Sequence, residues 1–102
     1  MTIAYLHSFT LAQREGSNRQ TNDDYKRVIL QRGRFRVVIC RERCQWLFQR
    51  RRPNVRAGAT AWDTLGYCIT RKGLIRLSRQ HMGTSWHELF AFPDHFKWED
   101  WA

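Results

Sequence analysis

Acidic side chains are scarce where this chain is most charged. Between Tyr25 and Gly83, fifteen Lys and Arg face only Glu42 and Asp63, a local balance of +13 within a whole-chain charge of +9; residues 1–24 carry -1 and Thr84 to Ala102 carry -3. General acid–base and nucleophilic chemistry need a titratable group beside its activator. The basic middle offers no such pairing, and no Gly-rich phosphate loop, HExxH motif or nucleophile elbow occurs. Asp94 beside His95 is the nearest approach to an acid–base pair, and adjacent residues after Pro93 read as surface polar groups in a turn. No enzyme and no cofactor are expected.

Cysteine is also short. Three thiols, Cys40, Cys44 and Cys68, are an odd number, which argues against a closed disulfide framework and for a reducing, intracellular setting. Cys40 with Cys44 and His81 with His87 superficially approach zinc-ligand spacing, but there is no tight CxxC knuckle, so no metal is expected. No stretch approaches the ~18 apolar residues that span a bilayer, and no basic start leads into a long apolar run. The expectation is a soluble, cytoplasmic protein with no membrane partner.

What is present is enough to fold. A chain of 102 residues has room for one domain, and a domain of that size buries roughly two thirds of its unfolded surface. With 42% hydrophobic and 14% aromatic residues, five of them Trp, large rings supply much of the core. Met1 to Leu11 reads as a short strand or helix, and Ala12 to Asp24 as a polar linker or arm. The domain proper is placed at residues 25–102.

Its centre is RFRVVICRERCQWLFQRRRPNVR, Arg34 to Arg56. Phe35, Val37 and Ile39 alternate with Arg34 and Arg36; Cys44, Trp46 and Phe48 alternate with Gln45, Gln49 and Arg51, with Leu47 interrupting the polar row. Period two denotes a hairpin with one buried face. Lys26 to Gln31 supplies a strand before it, turned by Arg32 and Gly33. Thr60 to Ile69 supplies a strand after it, with Trp62, Thr64 and Cys68 on one face and Asp63, Leu65, Tyr67 and Ile69 on the other. Gly66 there marks either a bulge or a close backbone approach.

Thr70 is placed to cap a helix carrying Leu74, Leu77, Ser78, His81 and Met82, ended by Gly83. Gly73 is either a close approach to the sheet or a tolerated flaw. Ser85 and Glu88 form a capping box for a second short helix with Trp86, Leu89 and Phe90, ended by Pro93. The fold class is therefore α+β: an antiparallel β-meander of about four strands packed by one main C-terminal helix and one short helix, with an aromatic, acidic tail.

The candidate site follows from charge. Arg34, Arg36, Gln45, Gln49 and Arg51 are expected on the open sheet face, Arg50, Arg52 and Arg56 at its rim, and Lys72, Arg76 and Arg79 as a stripe on the solvent side of the helix. A sheet bearing Arg and Gln can read base edges in the major groove while rim cations bind phosphates. Alternatively the N-terminal segment or the aromatic tail covers that face, and its arginines pair with Asp94, Glu99 or Asp100. Trp98 and Trp101 either fold back as core or dock a protein partner. The favoured reading is a small nucleic-acid-binding protein, DNA before RNA; the alternative is a phage-type inhibitor, such as an anti-CRISPR, docking on a host nucleoprotein complex. Self-association stays open.

The segments QWLFQRR (Gln45 to Arg51) and YCITRKGL (Tyr67 to Leu74) resemble two groups. One is a set of small bacterial and mobile-element proteins with a Trp in a basic strand and a YCxTRxxL strand-to-helix junction. The other is the arm-type DNA-binding domain of tyrosine recombinases, in which an aromatic strand passes into a helix through a Thr-Lys or Thr-Arg cap. The second resemblance implies a three-stranded, DNA-facing sheet. It covers about half of the chain, which departs from that domain at Gly73 and in the long loop from Pro53 to Ala59.

Overall fold

In a computed structural model, residues 19–54 and 60–102 are described. Four strands, β1 (Val28–Arg32), β2 (Phe35–Ile39), β3 (Trp46–Arg51) and β4 (Trp62–Cys68), pair in sequence order into one antiparallel meander. Helix α1 (Arg71–Met82) follows, then two 3-10 turns at His87–Ala91 and Trp98–Asp100. The α+β class and the strand order are as expected. The tight β1–β2 connection works because Gly33 takes φ +59, a left-handed conformation that costs glycine little.

Alternation in β2 and β3 places Val37, Ile39, Trp46 and Phe48 under α1 and the C-terminal segment, where they join Leu74, Ile75, Leu89, Phe92 and Trp101 in the main core. Trp46 is its centre: Phe92, Phe96 and Trp101 stand 5.5, 5.3 and 6.3 Å away between ring centroids. Such clustered rings add tilted and edge contacts to the burial of a large apolar area. The tail thus folds back as core.

The expected alternation of β4 fails at one residue. Phe48 pairs with Gly66 but Gln49 pairs with Thr64, so Leu65 is an extra residue in a bulge. Across a bulge the facing reverses. Trp62 and Thr64 therefore lie with Gln49 and Arg51 on the face away from α1, whereas Gly66 and Cys68 turn toward the helix. Gly66 adjoins that bulge and is itself the close approach, since a Cβ there would overlap Leu77 Cδ2. Gly66→Ala is expected to destabilise by about 1–3 kcal/mol through overpacking. Chemical denaturation of Gly66→Ala in wild-type and Leu77→Ala backgrounds checks this, because the cost should shrink once Leu77 is truncated.

Helix α1 begins where Thr70 Oγ1 accepts a hydrogen bond from Gly73 N at 3.0 Å, and ends where Gly83, at φ 77, donates its N–H to Arg79 O. The close approach at Gly73 is to that cap, since an added Cβ would lie 3.0 Å from Thr70 Oγ1, and not to the sheet. The Ser85–Glu88 capping box does not form. Trp86 occupies the cap position of a five-residue 3-10 turn without a side-chain cap bond, and the buried Glu88 carboxylate is instead drawn to Arg32 on β1.

Candidate nucleic-acid interface

The sheet face expected to lie bare is covered. Residues 20–25 run across it as a strap, tied by Thr21 O accepting from Ala61 N and Trp62 N at 3.0 and 3.1 Å and by an Asn22–Thr60 bridge. A domain boundary at Tyr25 therefore cuts through an ordered element. Tyr25 is fully buried and donates its hydroxyl to Ile39 O at 2.6 Å; with Val38, Cys40 and Leu47 it forms a second, smaller core. Loss of water around the phenol pushes the Tyr25 pKa above its ordinary value.

Beneath the strap lies a polar network that corrects the expected roles of Arg36, Gln49 and Arg51. Arg36 and Gln49 are 0% exposed. Arg36 Nε donates to Gln49 Oε1 at 2.7 Å, and its terminal nitrogens donate to the carbonyls of Asn22, Gln20 and Asp23 at 2.9, 3.2 and 3.4 Å. Gln49 Nε2 donates to Gln20 O and Thr64 Oγ1 at 2.8 and 3.1 Å. The guanidinium lies 4.2 Å from the Trp62 ring centroid, a desolvated cation–π contact. Burial pushes the Arg36 pKa down to about 10, so it stays charged at neutral pH. These donors are spent on the strap and cannot reach a base.

Asp23 anchors the assembly: its carboxylate accepts from Trp62 Nε1 at 3.1 Å and pairs with Arg51. The Trp62 bond, opposed by burial and reinforced by Arg51, holds the Asp23 pKa below its ordinary 3.8. A carboxyl depressed in the folded state contributes stability above its unfolded pKa and loses it as pH falls through the folded value. The melting temperature attributable to Asp23 should thus be level above about pH 5 and fall below about pH 4. Thermal melts of wild type and Asp23→Asn across that range test this; the difference between them should narrow as acid is added.

The remaining cations sort into engaged and open. Arg32 pairs with Glu88, Arg41 with Glu42, Arg52 with Asp63 and Arg71 with Asp94. Arg27 and Arg43 flank the Trp98 ring at 5.7 and 5.3 Å from its centroid. Arg34 and Arg50 are exposed at the end of the sheet that holds the β1–β2 turn. Gln45 is partly buried, and its carbonyl accepts from Cys40 N in the β2–β3 connection. Arg56 lies outside the described residues.

Lys72, Arg76 and Arg79 stand apart. They share the outer face of α1, and among the described residues none of the three has a carboxylate partner. With Ile75 and Phe90 they line an open groove of about 360 Å³. Phe90 was expected on the apolar side of a short helix, yet it is 53% exposed while Leu89 is buried. The signal lay in the spacing: Trp86, Leu89 and Phe92 recur every three residues, the 3-10 period, which leaves Phe90 off the core stripe.

Trp101 is buried and Trp98 partly buried between two arginines, so the tail is not the exposed dock that a partner-binding role for these two residues requires. The Cys40 and Cys44 sulfurs are hydrogen-bonded at 3.5 Å, with Cys40 buried and Cys44 exposed. Among the described residues no group of three His, Cys, Asp or Glu is placed to hold a metal ion, and no helix is long and apolar enough to cross a membrane. No protein-family model, curated protein or solved structure matches the chain.

Proposed function

We propose that this chain is a non-enzymatic nucleic-acid-binding protein that engages the phosphate backbone through the outer face of α1. The observation that carries this reading is the division of cations. On the sheet Arg32, Arg51 and Arg52 pair with carboxylates and Arg36 is buried, which leaves Arg34 and Arg50 open at one end; on the helix Lys72, Arg76 and Arg79 stand together on one face, and among the described residues none of them has a carboxylate partner. Three cations at i, i+4 and i+7 span about 10 Å of helix axis and form a unipolar stripe, which attracts a polyanion and releases its counterions on binding. Major-groove readout by Arg36 and Gln49 plays no part in this reading, because both lie beneath the strap.

The test is a titration of labelled DNA and RNA, single-stranded and duplex, at two salt concentrations. Binding that weakens steeply with salt supports the reading. Absence of binding at low salt would remove it and leave docking on a nucleoprotein complex as the remaining class of role.

A further inference from the structure

Resting on that reading, we infer that the groove between α1 and the His87–Ala91 turn is a stacking site for an unpaired base, so that the preferred ligand is single-stranded nucleic acid and not a duplex. Among the described residues three large apolar side chains are strongly exposed: Tyr67, Ile69 and Phe90. Of these, Phe90 alone lines the groove that also holds Lys72, Arg76 and Arg79. The Arg79 guanidinium lies over the Phe90 ring, 5.9 Å from the ring centroid. A half-exposed aromatic ring and the planar cation over it form one π-platform on which an incoming base can stack, and the adjoining Lys72 and Arg76 are placed for the flanking phosphates.

This is the combination by which single strands are held without sequence readout: a cationic track for the backbone and an aromatic platform for the bases. A duplex keeps its bases stacked inside and presents only phosphates to such a groove, so Phe90 would gain nothing from it. The track also has an end. A second depression of about 350 Å³ shares Lys72 and continues past Thr70 and Arg71 to Asp94 and His95, and Asp94, although paired with Arg71, puts a carboxylate where a further phosphate would come. The groove therefore fits a short segment whose phosphates run over Arg79, Arg76 and Lys72.

The experiment is fluorescence anisotropy of full-length protein with labelled oligo-dT, oligo-U and a duplex of matching length, for wild type, Phe90→Ala, Phe90→Trp and the combined variant Lys72→Ala/Arg76→Ala/Arg79→Ala. Far-UV circular dichroism confirms folding, which an exposed Phe90 should not govern. Phe90→Ala is expected to weaken single-strand binding about tenfold with duplex binding unchanged, and Phe90→Trp to restore it. Equal affinity for duplex and single strand, or indifference to Phe90→Ala while the combined variant loses binding, overturns the stacking site and leaves the phosphate-binding face standing. Wild-type binding that survives the combined variant overturns both. The oligo-dT and oligo-U arms separate DNA from RNA as the source of the strand.

Discussion

Arg36→Ala is expected to lower folding stability by about 3–5 kcal/mol, the range seen when one partner is removed from a buried charged network. The loss has two parts. Truncation strips the Gln49 side-chain carbonyl and Asp23 O of the Arg36 donor, while Gln20 O and Asn22 O keep Gln49 Nε2 and Tyr25 N, and each buried acceptor left unsatisfied costs about 1–3 kcal/mol. It also removes the cation packed over Trp62, leaving space between the strap and the sheet. Small domains have total stabilities near the low end of about 5–15 kcal/mol, so the variant should be largely unfolded at 37 °C. Urea denaturation followed by Trp fluorescence measures this. A loss below about 1 kcal/mol would mean that Arg36 is not the buried tie described here.

The combined variant Lys72→Ala/Arg76→Ala/Arg79→Ala is expected to leave stability within about 0.5 kcal/mol of wild type, as exposed substitutions generally do. It should nevertheless reduce nucleic-acid affinity by at least about tenfold at low salt and lower the slope of log K against log salt by about 2–3. The control is Arg50→Ala/Arg51→Ala/Arg52→Ala. From charge density alone these three arginines rank first. In the fold, Arg51 is committed to Asp23 and Arg52 to Asp63, which leaves Arg50 as the exposed, unengaged member of the run. The control should therefore lose less affinity than the helix variant despite removing equal charge, and should lose stability through the Asp23 anchor. Equal loss in both would mean that binding follows net charge and not the helix face.

How far the chain could be read without coordinates differs by layer. The meander and the α1 boundaries follow from short-range rules: period two in Arg34 to Phe48, a Thr cap at Thr70, a Gly stop at Gly83; the tail, open between core and dock in the sequence, is placed by long-range packing of Phe96 and Trp101 on Trp46. The misplacement of Arg36 and Gln49 has a different origin. Their alternation was correct, but an outward side chain on a strand faces solvent only if nothing lies on that side, and what lies there comes from residues 20–25, outside the hairpin. A signal was present. Val38, Cys40 and Leu47 are apolar on the supposedly wet face, and strands apolar on both sides are buried on both sides.

Two other departures come from one-residue events. The bulge at Leu65 reverses the faces of β4, and nothing in TAWDTLGYCI other than Gly66 marks it. Ser85 and Glu88 have the spacing of a capping box, but a buried pairing with Arg32 competes for Glu88, and a long-range partner of that kind is not written in local sequence. The helix stripe was legible because helical periodicity and exposure coincide there. Phe90 was missed because a 3-10 turn and an α-helix present different residues outward.

The most direct test is a backbone amide NMR titration of the labelled protein with a short oligo-dT. The account predicts that shifts concentrate on residues 71–80 and 87–92, with the amides of Tyr25, Arg36 and Gln49 undisturbed. Shifts concentrated on residues 20–25, Arg36 and Gln49, as when the strap lifts to admit the ligand to the sheet, would contradict it.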